Sequence, residues 1–271
     1  IQLSDEALIN ILNNIFKEGK NFGSLKTNYS YNIEFVSANP TGPMHVGHCR
    51  GAIFGDVLSN LLKFNGNKVT KEYYINDYGN QIKNFVKSVY LRIREIKFNE
   101  KFTNEKDLYP GEYIKDIAKK ILNKSKSDFN SFEKSFNFLE KESLEYSMNK
   151  IKSDLNKLGI SHDNFVSEKS LVKQDMVKIA VNQLNKLNYV EEGYLEPPKG
   201  EEKKNWKKTK RLIFKSVIFG DDSNRALQKN DGTWTYFAND LAYHYDKVSR
   251  NYNKLINILG ADHTGYVKRI E

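Results

Sequence analysis

Cysteine is almost missing from the 271-residue sequence: Cys49 stands alone. An internal disulfide is therefore excluded, as is a metal site built on several thiolates. A cytoplasmic setting fits such sparing use of thiols. Long apolar runs are missing too. No stretch approaches the roughly 18 uninterrupted apolar residues of a membrane span. The first residues, IQLSDEALINIL, show neither the basic start nor the cleavage site of a secretory leader. They also lack an initiator methionine, and the last residues, GYVKRIE, read as the start of a helix. The expectation is a piece of a longer protein.

What is present is enough for a real core: 39% of residues are hydrophobic and 13% aromatic. The net charge is +9. Such a charge fits a polyanion partner such as RNA. Yet 36 lysines stand against 7 arginines, beside plentiful Asn, Ile and Tyr. A/T-rich coding gives the same balance, so charge alone leaves nucleic-acid binding open.

Residues 1–30 read as a short helix and a polar loop. Residues 31–37 read as a strand and 44–64 as a helix stopped by Gly66 and Asn67. KVTKEYYIND is rich in β-branched and aromatic residues, a second strand. Strand, helix and strand within about 45 residues make a βαβ unit, whose strands should be parallel. Tyr78–Ile96 is helical by pattern, and 112–158 is charged and helical in at least two segments. HDNFVSE reads as a further strand, followed by a helix over 168–188. PPKGEEKKNWKKTKR reads as a loop, and Asp231-Gly232 sits between extended runs as a hairpin signal. TYFANDLAYHYDKV is an amphipathic helix with Phe237, Leu241 and Val248 on its apolar side, and KLINILG is a buried parallel strand. The expected organisation is an N-terminal helix and linker (1–30) and a first half-domain (31–105). A mostly helical insertion (106–215) holds a core strand near 163–167, and a second half-domain spans 216–271. The fold class is α/β, a parallel sheet with helices on both faces.

The chemistry concentrates in IEFVSANPTGPMHVGHCRG, residues 33–51. Glu34 interrupts an apolar strand, Pro40 and Pro43 break the chain, and His45 and His48 open a helix. Gly47, Gly51 and Gly55 follow at i, i+4 and i+8. Three helical glycines cost roughly 1 kcal/mol each against alanine, so something approaches closely. Either the helix packs tightly on the sheet or a nucleotide lies on bare backbone. The histidines are phosphate donors at a helix N-terminus, two members of a zinc site, or structural. Read alone, Glu34 is a solvated edge acid and Asp240 a solvated helix residue.

PTGPMHVGH matches the HIGH signature of class I aminoacyl-tRNA synthetases, and GADHTGY (260–266) looks like that class's Gly-x-Asp-His turn. The chain as a whole resembles arginyl-tRNA synthetase. The resemblance runs in order through EFVSANPTGPMHVGH, KEYYINDYGNQ, YPGEY, FGDD, DGTWTYFANDLAYH and GADHTGYVKR. It implies a Rossmann-like catalytic domain of the HUP type. It also implies that Glu34 and Asp240 hold a guanidinium with Tyr236 beside them, and that Ser37 and Asn39 address the amino-acid end. His45 and His48 would bind the triphosphate of ATP and act in catalysis, Gly47 would admit the adenine, and Gly260, Asp262 and His263 would meet adenosine. Arginine, ATP with Mg2+ and tRNA(Arg) are the implied partners, and a monomer the expected state. The family's lysine-containing signature loop and its tRNA-elbow and anticodon-binding domains do not appear in this sequence. Two rivals stand beside this reading: a class I ligase for another amino acid, and a non-catalytic core that binds arginine, ATP or RNA.

Overall fold

The computed structural model describes residues 2–25, 27–103, 105–195, 209–260 and 267. Its centre is a four-stranded parallel sheet. The strands are β1 (Ser30–Glu34), β2 (Lys68–Ile75), β3 (Asn164–Ser167) and β7 (Lys254–Asn257), in the order β3-β2-β1-β7. Helix α2 (Val46–Phe64) makes the crossover between β1 and β2. Side chains alternate between the faces of a strand, so the register decides what each face carries. Ile33, Phe35 and Tyr73 share the apolar face, packed with Ala52 of α2 and with Met148, Ile151 and Leu155 of α5 (Phe132–Lys157). Glu34 pairs in register with Glu72, so two acids lie side by side on the opposite face. Helix α8 (Tyr236–Ser249) covers that face. The layer between α8 and the sheet is therefore polar.

Helices α3 (Asn80–Phe98), α4 (Glu112–Lys124) and α5 enclose a separate core around Phe85, Val89, Ile93, Ile114, Ile117 and Leu139. Tyr113 of α4 donates to the Thr41 carbonyl at 2.9 Å, so this helical block braces the loop ahead of α2. A second, antiparallel sheet joins β4 (Val190–Gly193), β5 (Arg211–Phe214) and β6 (Arg225–Ala226). It packs through Val190 and Leu227 on α7 (Met176–Lys186) and the start of α8. Helix α1 (Asp5–Glu18) has no buried residue.

Several expectations need correction. The first strand ends at Glu34, not at residue 37. Val36 and Ser37 take φ of +69° and +38°, turning the chain off the sheet. The helix expected over 168–188 is two: α6 (Glu168–Lys173) ends before Asp175, whose φ is +53°, and α7 follows. Val248 is 61% exposed, and α8 instead buries Ala238, Ala242, Tyr243 and Lys247. Among the described residues strand β7 lies at the sheet's edge, and Leu255 is exposed. The Asp231-Gly232 hairpin shrinks to a turn closed by one antiparallel bridge, Gln228 to Trp234. Most of the loop read at 197–211 lies outside the described residues.

Candidate active site

The loop after β1 is held by distant residues. Tyr73 donates to the Ala38 carbonyl at 2.7 Å, and the Tyr74 amide donates to Ser37 Oγ at 3.0 Å. His162 bonds the Phe35 carbonyl at 3.2 Å. These bonds compensate the left-handed Val36 and Ser37, a conformation that costs about 1–3 kcal/mol per residue. The loop delivers the chain to His45, which caps α2. His45 Nδ1 accepts from the Gly47 amide at 3.2 Å, while His48 Nδ1 accepts from the His45 amide at 3.2 Å. The two rings lie 3.9 Å apart. With each Nδ1 accepting, the ring proton sits on Nε2. Burial and the charge of His45 lower the pKa of His48. Each ring thus has an Nε2–H edge to offer an anion at the helix N-terminus. Among the described residues no cluster of three or more His, Cys, Asp or Glu side chains adds the further ligands that zinc needs.

The three glycines separate. A methyl on Gly55 would lie 2.3 Å from Phe35 Cγ, so this glycine lets the helix sit on the strand. A methyl on Gly47 would meet His45 Cε1 at 2.9 Å. Gly51 faces open space, so packing does not explain it.

Glu34 and Asp240 come together across the polar layer. Ser37 Oγ donates to Glu34 Oε1 at 3.0 Å, and the Lys247 ammonium pairs with Oε2. Burial, then the charge of Glu34, pushes the Asp240 carboxyl up to about 7. Glu168 is also raised to about 7, by burial against the opposing hydrogen bond from Asn239 and with the charges of Asp240 and Asp77 adding to the rise. Tyr74 stacks on Tyr243 at 4.0 Å. Its Oη is buried with no hydrogen-bond partner among the described residues. Burial and then the charges of Glu168, Asp240, Glu34 and Asp77 raise its pKa.

The other expected residues are placed less tightly. Asn39 is exposed and bonds Gln81 at 3.4 Å. Tyr236 lies one turn before Asp240, yet it is 68% exposed, with the Lys229 ammonium 5.7 Å from its ring. Gly260 is exposed beyond β7, and Asp262 and His263 lie outside the described residues.

Sequence reasoning passed over a buried hub. Glu72 is 0% exposed and accepts from Asn32 at 3.0 Å, Asn164 at 2.7 Å, Tyr243 at 2.9 Å and the Arg250 guanidinium. Burial works to raise its pKa, but Arg250 and the two asparagines outweigh it and hold Glu72 low. A signal existed: Asp240, Tyr243, His244, Lys247 and Arg250 fall at helical spacing, a polar stripe fit to face a strand acid.

A parallel sheet that runs from its first strand into a helix capped by His-Val-Gly-His has the design of a class I aminoacyl-tRNA synthetase core. Residues 10–270 match the family described as tRNA synthetases class I (R), catalytic domain. The chain belongs to this family. It is 54% identical to an arginine–tRNA ligase of Pelagibacter ubique, over 96% of this chain and 46% of that protein. It is 49% identical to one from Wolbachia pipientis wMel, over 100% of this chain and 48% of the relative. The chain thus spans about half the length of these relatives. Among solved structures, a protein assigned as an arginyl-tRNA synthetase of Campylobacter jejuni superposes with a TM-score of 0.84 at 35% identity. That match covers 99% of this chain and 56% of the other.

Proposed function

We propose that this chain is the catalytic core of an arginine–tRNA ligase. The arginine carboxylate attacks the α-phosphate of ATP, giving arginyl-adenylate and pyrophosphate. A ribose hydroxyl of the 3′-terminal adenosine of tRNA(Arg) then attacks the arginyl carbonyl, forming an ester and releasing AMP. One observation carries the reading: Glu34 and Asp240 converge where β1 ends, and the chain leaving that strand leads to a helix N-terminus armed with His45 and His48. A guanidinium is planar, permanently charged and rich in donors, so converging carboxylates suit it better than they suit a neutral side chain. Tyr236 would flank the substrate, and Ser37 and Asn39, on the turn after β1, would address its amino and carboxylate groups.

The Nε2–H groups of His45 and His48 would donate to phosphate oxygens as negative charge builds on the departing pyrophosphate. The bare backbone at Gly47 would leave room for adenine, with Gly260, Asp262 and His263 around the nucleoside. Mg2+ would arrive with ATP, held mainly by phosphates and water. Most of the acceleration is then positioning and charge stabilisation. No described helix is long and apolar enough to cross a membrane; a monomer acting in the cytoplasm completes the reading. The test is calorimetric binding to the full-length enzyme. Arginine should bind, and citrulline, its neutral isostere, should bind at least about 100-fold more weakly. Equal affinities would refute the reading.

A further inference from the structure

Lys247 is 1% exposed, beneath α8. A buried ammonium is tolerated only with partners, and this one has three. It pairs with Glu34 Oε2, donates to Asn257 Oδ1 and lies 4.5 Å from the centre of the Tyr243 ring. Glu34 Oε1 is held from the other side by Ser37 Oγ at 3.0 Å. Both carboxylate oxygens are thus fixed before any substrate enters. The chain of contacts continues. Asn257 bonds His244 Nε2 at 3.0 Å, and His244 Nδ1 donates to the Asp240 carbonyl at 2.9 Å. One network therefore links the backbone of Asp240 to the carboxylate of Glu34.

We propose that Lys247 is a positioning residue for the amino-acid pocket, holding the Glu34 carboxylate in the orientation that receives the guanidinium of the substrate. The proposal rests on the arginine reading of Glu34. Stability alone does not call for a lysine, because buried ion pairs replaced by apolar residues of similar volume are often as stable. A charged anchor does what methionine cannot. It selects one rotamer of Glu34 and offsets part of its charge, so that Glu34 and Asp240 can lie close together.

The test uses the full-length enzyme and four variants: Lys247→Met, Lys247→Arg, Glu34→Gln and the double variant Glu34→Gln/Lys247→Met. Melting temperature and the KM values for arginine and for ATP are measured for each. Lys247→Met should raise the arginine KM by about 10- to 100-fold, the worth of a charge-assisted contact, and leave the ATP KM within about threefold. Lys247→Arg, which keeps the charge, should recover most of that loss. Adding Lys247→Met to Glu34→Gln should cost no further arginine affinity, since the lysine acts through the glutamate. A lower melting temperature for Lys247→Met with both KM values unchanged would overturn the proposal, as would additive losses in the double variant. Should Lys247→Met fail to fold, the double variant against Glu34→Gln decides, because it leaves no unpaired buried charge. A Glu34→Gln enzyme with normal arginine KM would instead refute the arginine reading of Glu34. A costly Glu34→Gln beside a harmless Lys247→Met refutes the lysine alone.

Discussion

Arginine binding to the full-length enzyme should be lost on mild acidification, and Asp240 should be the reason. Its carboxyl is pushed up to about 7 by burial and by Glu34. Below that pH the group is neutral and offers a guanidinium no charge. A bound cation favours the ionised form and pulls the pKa back down. Each pH unit below 7 then costs about 1.4 kcal/mol of binding, so affinity at pH 5.5 should be about 30-fold below that at pH 8.5. Glu168 is raised to about 7 as well and feels the charge of Asp240. A charge regained by Glu168 together with Asp240 would steepen the fall beyond this one-proton figure. Calorimetry from pH 5.5 to 8.5, in buffers of different protonation enthalpy, reads both affinity and protons released. Asp240→Asn should bind weakly at every pH with a shallower slope. For stability without arginine the sign reverses. From about pH 4 to 7 folded Asp240 keeps a proton that the unfolded chain has lost. Its contribution is full below pH 4 and fades on the way to 7, by on the order of 4 kcal/mol. His162, held down to about 4 mainly by burial, works in the opposite sense. The melting-temperature difference between wild type and Asp240→Asn isolates the carboxyl. An arginine affinity flat across this range, or an unchanged slope in Asp240→Asn, would refute the reasoning.

Four further outcomes are expected. Gly55→Ala drives a methyl to 2.3 Å from the buried Phe35 ring, and overpacking of about 1–3 kcal/mol should outweigh the helix gain of about 1 kcal/mol. Its melting temperature should fall, while that of Gly51→Ala, facing open space, should rise; the reverse order would refute the packing role. Gly47→Ala displaces the His45 imidazole and should weaken ATP at least tenfold in equilibrium binding, with little change in melting. His48→Ala should slow adenylation in a single-turnover assay by about 10²-fold with ATP affinity nearly kept, by the measure of one lost oxyanion donor. Arg250→Met strips Glu72 of its guanidinium and should cost about 3–5 kcal/mol in urea unfolding, the penalty for orphaning a buried charge.

The βαβ core was legible because its signals are local. KVTKEYYI is β-branched and aromatic, and α2 begins at a turn marked by two prolines. The end of β1 was not, because Phe35 and Val36 prolong the apolar run. What stops the strand is Tyr73, Tyr74 and His162 pinning the next few residues, and the last of these is 127 positions from its partner Phe35. The break at Asp175 escaped for a related reason. The apolar pattern runs on through it, and α6 and α7 turn apart to pack separately on α8. Resemblance, not pattern, picked out Glu34 and Asp240, and the structure then set them in one layer.

The polar layer explains why its lysine and arginine stayed hidden. A lysine on a charged, lysine-rich chain is read as solvated, since that is where nearly all lysines go. What distinguishes Lys247 is its position, seven residues beyond Asp240 and therefore on the same side of α8. That side could not be apolar, because the sheet beneath carries Glu34 and Glu72 in register. Two acids on adjacent strands repel unless each is met, and α8 meets them in order, Lys247 on Glu34 and Arg250 on Glu72. The two acids then part in role. Glu72 is sealed and fully bonded, which suits a strut. Glu34 stands at the end of its strand, where open parallel sheets receive ligands, beside an aspartate that burial and Glu34 hold at a raised pKa and that a bound cation would draw back to its ionised form. The same layer that fastens the helix to the sheet would thereby prepare the proposed arginine pocket at its rim.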